Sequence, residues 1–365
     1  AAAIVADGAC ILANVISSQI DLHRKYGGVV PELASRAHVE KIVPVVREAY
    51  AQAGLSYAEV DAIAVTQGPG LIGSLLVGVT YAKVMAWSLA KPLIAVNHLE
   101  GHIHAVLLEQ QQKAAAESQV EFPVVALVVS GGHTVLYRVD QEPIPQHPRK
   151  FLLRYQRVGQ TCDDAAGEAF DKVAKHLGLG YPGGPVIERL APLGNADAIA
   201  FSKPYIKLRG DADRTRYDFS FSGIKTAVVR YVEKYNLRPE IETRLARLRE
   251  NLSAPLAELC SQQTLDLLAS FQKSVVEDLA ERTLAGADDL EARAVFVSGG
   301  VAANSFLRKI FSQECAIRAV PVFFPSVELS TDNAAMIAAA AYPKFLTGDF
   351  VGLELNADAS LPLGR

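Results

Sequence analysis

One phrase occurs twice in this chain. Ala126-Leu127-Val128-Val129-Ser130-Gly131-Gly132 returns as Ala294-Val295-Phe296-Val297-Ser298-Gly299-Gly300. Each copy is a short, wholly apolar run that ends in Ser-Gly-Gly. Such a run, bounded by a turn, reads as a strand buried on both faces. Glycines just after a strand let backbone N–H groups approach a ligand, because no Cβ stands in the way. The copies lie about 170 residues apart, so they are not a solenoid repeat. They read as two similar turns framing one cleft in an α/β chain.

A third glycine-rich turn, Gln67-Gly68-Pro69-Gly70-Leu71-Ile72-Gly73-Ser74, follows the apolar run 60–66. Helices starting at these turns, one after Ser74 to about Leu89 and one opened by Val301 to Ser305, add their positive dipole ends. None of the three is G-x-x-x-x-G-K-[ST] or a clean G-x-G-x-x-G, which disfavours a P-loop NTPase and a dinucleotide fold. Three together favour a nucleotide-like ligand.

The remaining elements follow from punctuation. Strands are expected at Ala2–Val5 and Cys10–Val15, with Asp7-Gly8 as a hairpin turn. A helix is expected over 31–53, with Pro31 in its first turn, Gly54 ending it, and Leu33, Val39, Ile42, Val43 and Val46 as its buried stripe. A strand at 92–96 runs into Asn97-His98-Leu99-Glu100-Gly101-His102. The polar stretch 109–119 reads as a loop or boundary. A helix is expected to carry the run Asp163 to Asp171, and Tyr181-Pro182-Gly183-Gly184-Pro185 reads as a loop. Segment 203–249 reads as charged and partly irregular, with helices to about 285. A short strand near Val322 and a helix from Asn333 to about Tyr342 close the list.

Half of the 365 residues are hydrophobic and 21% are charged, enough for two or three packed domains. The net charge of -4 is too mild for a histone-like or coat-like nucleic-acid binder. Cys10, Cys162, Cys260 and Cys315 are widely spaced with no C-x-x-C, which fits a reducing, cytoplasmic setting and argues against a cysteine zinc site. No run reaches the roughly 18 apolar residues of a membrane span, and no signal peptide is evident.

His98 and His102 stand at i, i+4, so on a helix both imidazoles share one face and can share a metal. A third ligand must come from elsewhere. Asp332 is the candidate, although it would equally cap the last helix. Glu100 falls about 200° round from His98, so the H-E-x-x-H arrangement of a zincin protease is missing. His104 lies off the histidine face and has no role. Asp164, Glu168 and Asp171 fall at i, i+4, i+7 among small residues, and Asp163 precedes them; a carboxylate there could take a ribose hydroxyl or an amine. Residues 202–249 carry twelve Lys/Arg against six Asp/Glu, so this stretch is +6 and the rest about -10. With Tyr205, Tyr217, Phe219 and Phe221 interleaved, it reads as a basic patch for a polyanion such as RNA. Lys203, Lys207, Arg209, Arg214 and Arg216 are its candidate contacts, with Tyr205 or Tyr217 for stacking.

Together these residues resemble the TsaD family of tRNA threonylcarbamoyladenosine transferases, in its bacterial form, once called glycoproteases. The likeness rests on Tyr26 to Glu32, Gly68 to Ser74, Asn97 to His102, Val129 to Thr134, Asp163 to Asp171, Tyr181 to Pro185, Phe219 to Thr226, Ser298 to Asn304 and Thr331 to Asn333. It implies an actin-like (ASKHA) fold of two α/β lobes with a ligand cleft between them. Residues 1–115 would form the N-terminal lobe, 116–328 the C-terminal lobe, 329–346 a helix returning to the first lobe, and 347–365 a tail. It places metal ligands on His98, His102 and Asp332, with iron(II) ahead of zinc, although the donor set suits either. Substrate-binding positions fall on Val128, Val129, Ser130, Gly131, Gly132, Asp171, Gly184 and Asn304, with Glu188 as a further contact. The implied reaction moves a threonylcarbamoyl group from threonylcarbamoyl-AMP to N6 of adenosine 37 in tRNAs reading codons that begin with A. Asp163 or Asp164 would help take the amine proton. The implied partners are tRNA and TsaB- and TsaE-like proteins, with no membrane. A metallopeptidase, an actin-like ATPase or kinase and a non-catalytic RNA-binding subunit are the rival readings. The family opens with a strand and an acidic Asp-Glu-Thr turn just before the residues matching Ala1-Ala2-Ala3. A segment missing before Ala1 is therefore the expectation, and a chain truly lacking it would fold and act poorly.

Overall fold

A computed structural model describes residues 1–112, 120–202, 216–251 and 255–364. The chain opens with an antiparallel hairpin of β1 (Ala2–Ala6) and β2 (Cys10–Val15). Asp7 and Gly8 both take positive φ, 54° and 70°, which the expected I′-type turn demands. A Cβ on Gly8 would also meet the Tyr342 ring at 2.7 Å, so glycine is required twice over. After the short α1 (Ile20–Arg24) comes α2 (Pro31–Ala53), which starts at Pro31 and stops at left-handed Gly54 as its sequence requires. Its inward stripe is the expected one only in part, with Leu33, Ile42 and Val46 half-buried. Ala34, Val45, Ala49 and Tyr50 are buried, whereas Val39 (63% exposed) and Val43 (39%) face outward. Small residues let α2 lie close to α3 (Ile72–Leu89), and the bulkier valines project from another face of the helix.

Between α2 and α3 runs β3 (Ile63–Gly68), which pairs in parallel with β4 (Leu93–Asn97). The 18 residues of α3 are long and apolar enough to cross a membrane, which corrects the expectation that no such run exists. In the fold, Leu75, Val79, Ala82 and Ala86 of this helix are buried, and Val79, Ala82 and Ala86 share a core with Val65 and Leu93 of the β3–β4 pair. β4 leads directly into α4 (His98–Gln112), so the first four residues of the 109–119 stretch expected to be loop are helix; its remainder lies outside the described residues.

The second sheet holds both copies of the repeated phrase. Its strands are β5 (Val124–Val129), β6 (Thr134–Ile144), β7 (His147–Gln160), β8 (Ala294–Ser298) and β9 (Val322–Phe323), in the order β7-β6-β5-β8-β9. β5 and β8 lie side by side and parallel, with Val128 opposite Ser298, so the two Ser-Gly-Gly turns leave the same sheet end staggered by two residues. Every residue of β5 is fully buried. Val125, Leu127 and Val129 join the large core, and Val124, Ala126 and Val128 a smaller one against α4.

Helices cover this sheet: α5 (Ala166–His176), α6 (Gly183–Leu190), α7 (Ser222–Lys234), α8 (Arg238–Glu250), the 28-residue α9 (Gln262–Asp289) and α10 (Ser305–Ile317). The expected loop at 181–185 is shorter, because α6 already begins at Gly183. The chain ends with α11 (Val327–Ser330) and α12 (Ala335–Thr347). α12 packs on α4, β1, β3 and β4. Residues 351–362 then strap across β3 and β4 through backbone bonds from Val351 to Leu93 and Asp358 to Gln67, and through Asn97 Nδ2 to the carbonyls of Leu361 and Pro362.

Candidate active site

The residues that could hold a metal come from two places. His98 opens α4 at the end of β4, where the Asn97 side chain accepts the Leu99 N–H at 2.9 Å and so secures the helix start. One turn later His102 lies on the same face, its ring centroid 4.7 Å from that of His98. Asp332 arrives between α11 and α12 and brings Oδ1 to 3.5 Å from His98 Nε2 and 3.3 Å from His102 Nε2. One ligand atom from each residue falls within 4.8 Å of the others. His102 is 1% exposed, and neither of its ring nitrogens has a hydrogen bond of proper geometry. An imidazole buried that way is costly unless something coordinates it. Burial lowers the His102 pKa, favouring the neutral, ligating form. The Asp332 side chain is exposed on its outer side, and although the protein around its carboxyl works against the charge, His102 and His98 hold that carboxyl well below the ordinary range. A neutral imidazole beside an ionised carboxylate fits a divalent cation.

Glu100 points the other way, as its position on the helix requires. Its carboxylate accepts from Lys344 Nζ at 2.9 Å, behind the histidine face, so no general base of the zincin kind stands at the metal group.

Beside the metal group the sheet ends in a cavity of about 200 Å³, open on one side and lined by Gly131, Asp171, Gly184, Glu188, Gly300 and Asn304 among others. Its glycines divide into two kinds. A Cβ on Gly299, which has φ +95°, would sit 2.4 Å from the Val129 carbonyl, and one on Gly167 would sit 2.6 Å from that of Ser130; these glycines serve close packing. At Gly131, Gly132, Gly184 and Gly300 a Cβ would meet nothing within 4 Å, and none has strained φ. The fold does not require glycine there, whereas a close-lying ligand would. Gly300→Ala is therefore expected to leave thermal stability unchanged and to weaken AMP binding about tenfold, a cost of ~1.4 kcal/mol. Gly299→Ala is expected to destabilise by upward of ~1 kcal/mol. Thermal melts and AMP titrations of the two variants check the pair, and equal melting losses would contradict this division.

Each expected binding residue has an identifiable place. Val128 and Val129 are core side chains, so only their backbone can serve a ligand. Ser130 closes the turn, its N–H donating to the His133 carbonyl and its Oγ accepting the His133 N–H. Asp171 accepts the Gly183 N–H at 2.7 Å at the cavity wall, and burial raises its pKa. Glu188 accepts the Ser305 N–H at 2.7 Å, and Asn304 caps the same helix through the Leu307 N–H while donating to Gln272.

Asp163 and Asp164 are placed differently from expectation. They precede α5 rather than ride on it, because that helix starts only at Ala166. Asp163 caps α7 instead: Oδ1 accepts the N–H groups of Phe221 and Ser222, and Oδ2 the hydroxyls of Ser220 and Ser222. Asp164 lies between Lys172 and Lys225, at 2.7 Å from each. Burial pushes against both carboxylates, yet these bonds leave both pKa values lowered. Each is committed to holding the fold, which makes either a poor proton acceptor. The stripe through Asp164, Glu168 and Asp171 is likewise split: Lys172 bridges the first two, and Asp171 turns to Gly183.

The basic segment is also partly internal. Lys203, Tyr205, Lys207, Arg209 and Arg214 lie outside the described residues. Arg216 pairs with Asp289 at 3.1 Å, and the Tyr217 hydroxyl donates to the same carboxylate. Phe219 and Phe221 are core residues, and Arg244 is fully buried on the carbonyls of Leu177 and Leu259.

One residue of the site carried no expected role. The His133 ring centroid lies 6.4 Å from that of His98, and burial lowers its pKa to about 4, helped by His98 and His102. The turn 130–133 thus has a glycine at the cavity and its histidine beside the metal group. The only sequence signal was that the first copy of the phrase continues Ser-Gly-Gly-His and the second Ser-Gly-Gly-Val.

Comparison with known proteins identifies the family. Residues 10–339 match the family model TsaD, tRNA N6-adenosine threonylcarbamoyltransferase. A curated tRNA N6-adenosine threonylcarbamoyltransferase of Koribacter versatilis (strain Ellin345) is 54% identical, covering 100% of this chain and 96% of its own length. That of Moorella thermoacetica is 48% identical, covering 100% and 94%. Among solved structures, T.kodakarensis HypF superposes with a TM-score of 0.51 at 15% identity, over 85% of this chain and 44% of its own, and shares the actin-like fold. With a family match over residues 10–339 and relatives 54% and 48% identical across the whole chain, the chain belongs to the tRNA N6-adenosine threonylcarbamoyltransferase family.

Proposed function

We infer that this enzyme moves a threonylcarbamoyl group from threonylcarbamoyl-AMP to N6 of adenosine 37 in tRNAs reading codons that begin with A. The observation that carries the chemistry is the turn 130–133, which joins the glycine-lined cavity to the His98–His102–Asp332 group. The AMP part rests against Gly131, Gly184 and Gly300, with Asp171 toward the ribose, and the threonylcarbamoyl end reaches the histidines. The donor is a mixed anhydride and already activated, so positioning and charge stabilisation are what the protein must supply. The adenosine N6 attacks the carbamoyl carbon, the new C–N bond forms, the C–O bond to phosphate breaks, and AMP leaves with the electron pair. The amine proton goes to water, since Asp163 and Asp164 are engaged elsewhere. A divalent metal on His98, His102 and Asp332, iron(II) ahead of zinc, would polarise the carbamoyl and phosphate oxygens when bound.

The tRNA approaches a molecule whose charge is negative outside 202–249, so contact at Lys203, Lys207, Arg209 and Arg214 is favoured electrostatically. A37 must unstack to reach the cleft. Val39 and Val43 on α2, with Leu76, Val84 and Trp87 on α3, expose apolar side chains that suit protein partners of the TsaB and TsaE kind. The setting is the cytoplasm, in keeping with four free cysteines.

The test is nucleoside analysis of unmodified tRNA incubated with the enzyme, its partners and threonylcarbamoyl-AMP. Threonylcarbamoyladenosine is expected at position 37 with release of AMP. Reversing the charge of Lys203, Lys207 and Arg209 is expected to raise the KM for tRNA and flatten its salt dependence. Peptide cleavage or ATP turnover without nucleoside modification would instead support the rival readings.

A further inference from the structure

We propose that Arg308 is a positioning residue that couples the adenylate cavity to the metal group. The proposal rests on the two sites described under the proposed function. Arg308 lies in the first turn of α10 and reaches in two directions at once. Its Nε donates to the Ala302 carbonyl at 2.7 Å, inside the turn that lines the cavity between Gly300 and Asn304. Its Nη2 donates to the Pro325 carbonyl at 2.7 Å and to Ser330 Oγ at 3.0 Å, in the segment that delivers Asp332 two residues later. The guanidinium lies over the Phe324 ring, 5.0 Å from its centroid.

That segment is held from the other side as well. Ser330 Oγ donates to the Ser326 carbonyl at 2.7 Å, and the Ser326 N–H donates to Glu109 on α4, the helix of His98 and His102. A continuous run of hydrogen bonds therefore passes from the cavity turn through Arg308 to the Asp332 segment and on to the metal-binding helix. The planar fork of arginine can satisfy both directions in fixed geometry, which a lysine point charge cannot.

The consequence is thermodynamic. A ligand that orders the cavity turn also orders the Asp332 segment, and linkage makes the effect reciprocal. Metal binding then tightens AMP binding, and AMP tightens metal binding by the same factor, about fivefold or more.

The experiment titrates AMP into the full chain with and without cobalt(II), and cobalt(II) with and without AMP, read by calorimetry and by the visible cobalt absorption. In the wild type each ligand is expected to strengthen the other about fivefold. Arg308→Met keeps the apolar stem against Phe324. It is expected to bind AMP and cobalt(II) singly within about threefold of wild type while the mutual enhancement falls to near one. Arg308→Lys is not expected to restore it. Ser330→Ala, a milder change that spares the arginine, is expected to reduce the enhancement even if Arg308→Met fails to fold. Full enhancement in Arg308→Met, or in Ser330→Ala should the methionine variant not fold, overturns the proposal, as does a wild type that binds both ligands independently. A wild type that binds neither AMP nor cobalt(II) overturns the reading of the sites themselves, and the coupling with it.

Discussion

His102→Leu is expected to abolish metal binding, to cut threonylcarbamoyl transfer by roughly a thousandfold or more, and to leave the metal-free protein as stable as the wild type or more so. Loss of a Lewis acid removes several kcal/mol of charge stabilisation, and each ~1.4 kcal/mol is tenfold in rate. The stability sign is the sharper part. In the absence of metal the His102 imidazole is buried and meets only Asp332 Oδ1, at 3.3 Å and without hydrogen-bond geometry, so an apolar side chain of similar volume removes more penalty than contact. A purely structural histidine would show the opposite: lower melting temperature and unchanged metal content. Metal analysis, melting with and without chelator and the transfer assay together decide it. Metal affinity should also fall as pH drops. Burial lowers the His98 pKa, but Asp332 more than offsets this and leaves it above its ordinary value, so a proton competes with the metal from near-neutral pH downward.

How legible this site was in the sequence depends on how local each part is. The i, i+4 histidines and the glycine turns after β5 and β8 are read from neighbouring residues, and they lie where that reading puts them. Pro31, Gly54 and the Asp7-Gly8 turn fix their elements for the same reason, since each acts on its own backbone. Asp332 has no local signal for metal binding, and only the family likeness separated it from a helix cap. Asp163 misled because its partners, Ser220 to Ser222, lie some sixty residues on, so nothing in its own neighbourhood shows that it caps another helix. Phe219 and Phe221 read as aromatics in a basic stretch, yet that short segment sends both into the large core. Val39 and Val43 were assigned to the core because a valine resembles core, whereas Ala34 and Ala49, which are the buried residues, resemble nothing in particular. The coupling through Arg308 is invisible in sequence, since its acceptors are backbone carbonyls of two separate loops.

Lys344→Met should destabilise the protein by about 3–5 kcal/mol. The cause is the partner it strands. Glu100 is buried on the back of α4, and Lys344 Nζ is its counter-charge at 2.9 Å while also donating to the Ala95 carbonyl of β4. Burial already raises the Glu100 pKa, with Lys344 opposing, so removing the lysine raises it further. A carboxyl whose folded pKa is raised gains protons on folding, so stability falls as pH rises. The deficit of Lys344→Met should therefore be largest near neutral pH and shrink as acid protonates Glu100. Glu100→Gln combined with Lys344→Met should recover most of the loss, because no charge is then left unpaired. Denaturant melts of the single and double variants at pH 5 and pH 7.5 provide the measurement. A deficit that does not change with pH and is not relieved in the double variant would mean that Lys344 acts through packing or through Ala95 alone. The pair also links the two helices of the metal group, since α4 carries both histidines and α12 begins three residues after Asp332. The double variant should thus regain stability while still binding cobalt(II) more weakly than the wild type, because the neutral pair no longer draws α12 onto α4.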